Sequence, residues 1–232
     1  MNRKELKERV LAANLEIKRS GLAILTWGNA SMRDAESGEI AIKPSGVAYE
    51  ALRAEDIVVL SPEGQVVEGA LRPSSDTDTH LCLYKAFADL GGVVHAHSSY
   101  AVAFAQAGLA LPCLGTTHAD SFYGEIPCTR QLLDEEIAGR YEWETGKVIA
   151  EAFAGRNPLH TPGVLVSGHG PFAFGSDAEG AAENALILEE VAKMALLTLQ
   201  LRPGSPPAGK ALMDKHFFRK HGKDASYGQR RP

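Results

Sequence analysis

His95 and His97 stand two residues apart in Val93-Val-His-Ala-His97, just after Gly91-Gly92. The apolar lead and the glycine border predict a strand, on which side chains two apart leave the same face. Two imidazoles so placed can share one metal ion, but an HxH pair serves equally as two hydrogen-bonded histidines, so further ligands must decide. Asp76 ends Pro73-Ser-Ser-Asp76 ahead of a helix, and His169 sits in Ser167-Gly-His-Gly170 after an apolar run. Both are positions from which side chains can converge on a strand end, although a helix N-cap and a turn histidine are their ordinary roles. Taken together, three neutral imidazoles and a carboxylate suit zinc or another divalent ion such as manganese or cobalt.

A second group of residues could hold an anion. Gly28-Asn29, Ser45-Gly46 and Ser74-Ser75 offer backbone N–H groups, an amide and hydroxyls, and Lys43 adds a positive charge. Such clusters are also the common vocabulary of turns, and neither a Walker A sequence nor a dinucleotide fingerprint is present.

These residues need elements to position them. Leu6, Val10, Ala13 and Ile17 recur at helical spacing before Gly21, predicting an amphipathic first helix. From Trp27 to Asp56 short apolar runs alternate with Gly, Pro and Ser, and 56–60 ends at Ser-Pro-Glu-Gly, so hairpin-like strands follow. Helices are expected over 77–90, 100–107 and 132–153, and a buried strand over 163–166 that enters the turn carrying His169. Ser176 or Asp177 can cap a long helix ending near Arg202-Pro-Gly, with Ala181, Ala185, Leu188, Val191, Ala192, Ala195 and Leu199 on its apolar face. After a Pro-rich linker, the tail mixes Phe217, Phe218 and Tyr227 with charge. It is expected to dock rather than trail. This mixed order predicts an α/β fold, a sandwich with a central sheet covered by helices.

Composition narrows the partners. At 232 residues, 44% hydrophobic and 23% charged, the chain fits one packed domain over 1–232. A net charge of −5 with dispersed Lys and Arg, apart from a cluster between Arg219 and Arg231, argues against nucleic acid and anionic membrane as partners. The first 20 residues interrupt apolar positions with charge, so neither a signal core nor a span of about 20 apolar residues is expected there. Cys82, Cys113 and Cys128 are odd in number and lack CxxC spacing, which favours reduced thiols in a cytoplasm.

Five segments also carry a family resemblance. Thr26-Trp-Gly-Asn-Ala-Ser31, Lys43-Pro-Ser-Gly46, Pro73-Ser-Ser-Asp76, His95-Ala-His97 and Ser167-Gly-His-Gly-Pro171 occur in the order of the class II aldolase and L-ribulose-5-phosphate 4-epimerase family. The resemblance implies a three-layer α/β/α sandwich with a largely antiparallel central sheet, and a homotetramer with sites at subunit interfaces. It implies Asp76, His95, His97 and His169 as metal ligands, with Gly28, Asn29, Lys43, Ser45, Gly46, Ser74 and Ser75 binding a sugar phosphate. An Asp at position 76, Gly115-Thr-Thr-His-Ala-Asp120 and the ending from Lys220 to Gln229 resemble the 4-epimerase branch. By that likeness Asp120 and Tyr227 are the acid/base pair, His216 contacts substrate, and the segment 205–232 docks near the active site. The implied reaction inverts C4 of L-ribulose 5-phosphate by breaking and remaking the C3–C4 bond, giving D-xylulose 5-phosphate. Asp78, Tyr100 and Ser167 depart from the family's common Pro, His and His, which bears on substrate preference and removes no ligand. Two other readings stay open: an aldolase or dehydratase on the same scaffold, and a non-enzymatic module like the related adducin domain.

Overall fold

The computed structural model describes residues 1–221 and 225–226. Its first helix, α1 (Arg3–Arg19), begins where the Asn2 side chain accepts from the Glu5 amide at 2.9 Å, and it buries Leu6, Val10, Ala13 and Ile17. Four strands follow: β1 (Asn29–Arg33), β2 (Ile40–Ile42), β3 (Val58–Leu60) and β4 (Val66–Glu68). Helix α2 (Thr77–Ala86) leads into β5 (Gly92–His95), α3 (Ser99–Gln106) and the short α4 (Thr116–Ala119). Helices α5 (Asp134–Ala138) and α6 (Tyr141–Ala152) precede β6 (Gly163–Val166) and β7 (Gly170–Gly175). The chain closes with α7 (Ala178–Leu201), capped by Asp177 on the Gly180 amide at 2.8 Å, and α8 (Lys210–His221).

The strands form one sheet in the order β4-β3-β2-β1-β5-β7-β6, with every neighbouring pair antiparallel. The alternation of a pleated strand sorts its residues between two helical layers. On β1, Ala30 and Met32 join the cluster packed on α1 and the start of α7, and Asn29 and Ser31 face the α2 side. On β5 and β7, Val94 and Ala173 face that first layer, whereas Val93, Phe172 and Phe174 pack with residues of α2 and α6. This is the three-layer α/β/α sandwich with an antiparallel sheet that the resemblance implies.

Three local expectations are corrected. The single helix over 132–153 is broken at Gly139-Arg140 into α5 and α6, because Gly is a weak helix former and Arg140 takes a non-helical backbone at φ −93°, ψ 68°. Helix α2 stops at Ala86 rather than near 90. The strand carrying the histidine pair ends at His95, so His97 lies beyond it in the connection to α3. The turn around His169 opens directly into β7, an interior strand of the sheet beyond those expected from the sequence. Pro171 is tolerated near the strand start, where its carbonyl still accepts from the Ala96 amide at 3.4 Å.

Candidate active site

The sheet register sets the site. Asn29 at the start of β1 pairs with His95 at the end of β5, which in turn pairs with Phe172 of β7. The approach of β1 is close: a Cβ at Gly28, whose φ is +78°, would stand 2.7 Å from the His95 carbonyl oxygen. Only glycine meets both demands. The Tyr49 hydroxyl fixes the same turn by donating toward the carbonyls of Trp27 and Gly28 at 3.0 and 2.8 Å.

His95, His97 and His169 converge, with one candidate ligand atom from each lying within 4.8 Å of the others. His95 Nε2 and His97 Nε2 are 3.0 Å apart. His95 is buried and stacks on Phe172 with ring centroids 4.3 Å apart, and its Nδ1–H donates to the Pro171 carbonyl at 3.0 Å. That bond assigns the tautomer and leaves the Nε2 lone pair toward the cluster. His169 follows Gly168, whose φ of +73° makes the turn, and its Nδ1 lies 3.2 Å from the Tyr141 hydroxyl. Bonds of about 2.0–2.1 Å to a tetrahedral ion separate ligand nitrogens by roughly 3.3 Å. The spread of the triad fits such an ion.

Asp76 lies outside that close triad but lines the same cleft. It occupies the N-cap position of α2 without capping it; instead its Oδ2 accepts from Asn29 Nδ2 at 2.6 Å. Asn29 Nδ2 also donates to Ser74 Oγ at 3.0 Å, so one amide ties β1 to the loop ahead of α2. Burial pushes the His95 ring down to about 3, against the attraction of Asp76, and burial lowers His97 and His169 as well. Burial would raise the Asp76 carboxyl, but the surrounding imidazoles and the Asn29 amide outweigh it and hold it below the usual carboxylate range. At neutral pH the four groups are therefore three neutral imidazoles and a carboxylate, the protonation states that metal binding requires.

The cleft beside them, about 440 Å³, runs from His97, His169 and Tyr141 to Lys43, Ser45 and Ser75. Gly28, Asn29, Gly46 and Ser74 also line it, so all seven expected phosphate-binding residues share one cavity with the imidazoles. Hydrogen bonding refines their roles. The Ser45 amide donates to Arg72 O and the Ser74 amide to Lys43 O, which spends two backbone donors on joining the loops. Lys43 is buried at 2% exposure; its Nζ lies 3.4 Å from the Pro44 carbonyl and 4.7 Å from the centre of the Tyr49 ring. No carboxylate lies within 4.0 Å of it among the described residues, and burial lowers its pKa. A larger cleft of about 610 Å³, between Arg9, Arg33 and Asp177, lies away from the imidazoles.

Asp120 and His216 lie elsewhere; neither lines the histidine cleft. Asp120 accepts from Arg219 through both oxygens at 3.1 and 2.9 Å and lies 3.0 Å from His216 Nδ1. Although burial works upward, Arg219 and His216 hold its carboxyl below the ordinary value. This cluster exists because α8 packs on α4, with Phe217 buried against Tyr123 at a centroid distance of 5.0 Å. Tyr227 lies outside the described residues. Tyr141 is a cleft residue that the sequence reading missed, and its only signal was its place just after the Gly139 break.

The fold and the histidine cleft together define a class. The chain belongs to the class II aldolase and adducin N-terminal domain family, which matches residues 8–196. Relatives named L-ribulose-5-phosphate 4-epimerase UlaF, from Salmonella paratyphi A and Salmonella typhi, are 56% identical over 226 residues, covering 97% of this chain and 99% of theirs. Among solved structures, an L-fuculose 1-phosphate aldolase superposes with a TM-score of 0.77 at 24% identity, covering 91% of this chain and 94% of its own. The L-fuculose-1-phosphate aldolase of Thermus thermophilus does so with a TM-score of 0.66 at 26% identity, covering 88% and 100%. No helix among the described residues is long and apolar enough to cross a membrane.

Proposed function

We propose that this chain catalyses the C4 epimerisation of L-ribulose 5-phosphate to D-xylulose 5-phosphate. The observation that carries the reading is one cleft lined both by groups that could hold a metal and by a buried ammonium that has no carboxylate within 4.0 Å among the described residues. An ammonium so enclosed calls for an anion, and a phosphate supplies it. The names of relatives 56% identical over 97% of this chain favour the epimerase among the family's reactions.

His95, His97 and His169, with Asp76, would hold a divalent ion, zinc or one of similar preference. When bound, it supplies positive charge against the oxyanion that develops as C3–C4 breaks. Lys43, the hydroxyls of Ser45, Ser74 and Ser75 and the backbone amides of Gly46 and Ser75 bind the phosphate and fix the sugar in the cleft, and Asn29, whose two side-chain N–H groups are spent on Ser74 and Asp76, orders the cleft wall beside them. C4 carries no acidic hydrogen, so its inversion requires the C4 hydroxyl to lose its proton on one face and regain it on the other. Asp120 and Tyr227 serve the two faces.

Asp120 does not line the cleft of its own chain, and its cluster with His216 and Arg219 is part-exposed. This supports a site completed between copies, in which the α8 side of one subunit, with the remainder of 205–232, meets the metal centre of its neighbour in a homotetramer. Metal-loaded protein incubated with L-ribulose 5-phosphate should yield D-xylulose 5-phosphate. Accumulation of free glycolaldehyde phosphate would assign an aldolase instead, and full turnover in demonstrably metal-free protein would overturn the reading.

A further inference from the structure

Between β1 and α2 runs a stripe of polar groups inside the protein. Asp76, His80 and Tyr84 follow at intervals of four along α2, and Asn29 and Ser31 face them from alternate positions of β1. Ser31 Oγ lies 2.7 Å from His80 Nδ1 and 2.8 Å from the Tyr84 hydroxyl. His80 is fully buried, edge-on to Phe172, whose ring also stacks on His95 and meets His169 edge-on. Two enclosed atoms of this stripe have no partner among the described residues, His80 Nε2 and Asn29 Oδ1.

The direction of the chain can be derived. If Tyr84 donates to Ser31 and Ser31 to His80 Nδ1, every hydroxyl proton is placed and the ring carries its own proton on Nε2. The reverse order strands the Tyr84 proton in the core and leaves a lone pair on Nε2, one residue pair from the Asp76 carboxylate. Each order leaves one enclosed donor without a protein partner among the described residues, Nε2–H in the first and the Tyr84 hydroxyl in the second, but the second also leaves the Nε2 lone pair unpaired, and only the first gives the stripe a donor to complement the unpartnered Asn29 Oδ1, so the first order is the stable one. An N–H donor on α2 and an amide oxygen acceptor on β1 then belong to the same stripe as the Asp76 carboxylate, a set with the two to four polar partners that a buried water needs.

We infer that His80 is a positioning residue: through one buried water it fixes Asn29 and the Asp76 carboxylate for the metal site. The water accepts from His80 Nε2–H and donates its two protons to Asn29 Oδ1 and Asp76. The inference rests on the proposed metal role of Asp76, so its test separates the two. Co2+ titration of the full chain, followed by its visible spectrum, reads the site without turnover. His80→Leu and His80→Asn should weaken Co2+ binding by about 10-fold or more, the effect typical of groups that orient ligands. His80→Gln, whose amide N–H reaches the Nε2 position, should stay within about threefold of wild type. A packing role alone would follow side-chain volume and group Leu with Gln. In wild-type protein, nitrogen NMR should find the His80 proton on Nε2. A proton on Nδ1, or wild-type Co2+ affinity in His80→Leu, would overturn the relay, and the NMR result decides even where a variant fails to fold. If wild-type protein takes up no Co2+, the metal reading falls and the ring tautomer alone judges the relay.

Discussion

Replacing Lys43 by Met keeps the length of the side chain and removes its charge, so it isolates what that charge does. In the ligand-free protein the ammonium is buried at 2% exposure and touches one carbonyl at 3.4 Å and an aromatic face at 4.7 Å. Burial lowers its pKa below the ordinary 10.5, so folding disfavours the charged form at neutral pH. The associated loss of stability is full well below the folded pKa and fades as pH rises through it toward the unfolded value. Lys43→Met removes that penalty, and the variant should melt no lower than wild type when free of ligand. With a phosphate bound the sign reverses. A hydrogen bond to a charged partner contributes about 1.5–3 kcal/mol, so the variant should raise KM for the sugar phosphate roughly 10-fold to 150-fold. Inorganic phosphate provides a second readout: it should raise the melting temperature of wild type and leave that of Lys43→Met nearly unchanged. Co2+ affinity should not move, since Lys43 is not among the groups that would hold the ion. A KM within about threefold of wild type would refute the anion role, and a ligand-free variant that melts well below wild type would show the ammonium to be structural.

The remaining expectations concern the metal, the shared site, the proton-transfer pair and pH. Metal analysis should find one divalent ion per chain, and His97→Ala should weaken it by more than the roughly 10-fold to 100-fold seen for groups outside the ligand set. Co-expressing Asp120→Asn with His97→Ala should restore about a quarter of wild-type activity if the site spans two randomly mixed copies; no recovery would place the whole site within one chain. Tyr227→Phe should slow interconversion by about 100-fold to 10,000-fold while condensation of dihydroxyacetone with glycolaldehyde phosphate continues toward one C4 epimer, and an unskewed product ratio would contradict the two-face assignment. Burial pushes His80 and His118 down to about 4. The unfolded chain therefore takes up protons at these rings below about pH 6.5 that the native chain refuses, so stability is complete above that pH and falls on acidification. Between pH 6.5 and 5 the loss should be about 1.5 kcal/mol per ring, roughly 3 kcal/mol together, by urea unfolding of metal-free protein; a flat profile would refute it.

What was legible in the sequence was residue type and order; what was not was which hydrogen bond each group had already made. The HxH spacing and the Gly-flanked His169 are local patterns, and the sheet needed only to end at His95 for them to meet. Asp76 shows the limit. Its place ahead of α2 reads as an N-cap, and only the amide of Asn29, brought across by the pairing of β1 with β5, holds its side chain away from the helix and toward the imidazoles. The serines show the same ambiguity from the other side. Ser45 and Ser74 look like backbone donors for a phosphate, yet their amides join two loops, and their hydroxyls are what remain available. Pro171 is a further case: nothing in its type announces that its carbonyl is the acceptor that sets the tautomer of His95. Each of these outcomes depends on a partner far away in sequence, a range over which spacing and propensity carry no signal. The separation of Asp120 from the cleft follows from the same cause. The tail helix α8 supplies His216 and Arg219 to Asp120, so the acidic group is secured by a neighbour about a hundred residues along the chain. If Asp120 acts in the proposed reaction, its carboxylate and the histidine cleft must be brought together by another copy, and recovery of activity on co-expressing Asp120→Asn with His97→Ala is the result that reading requires.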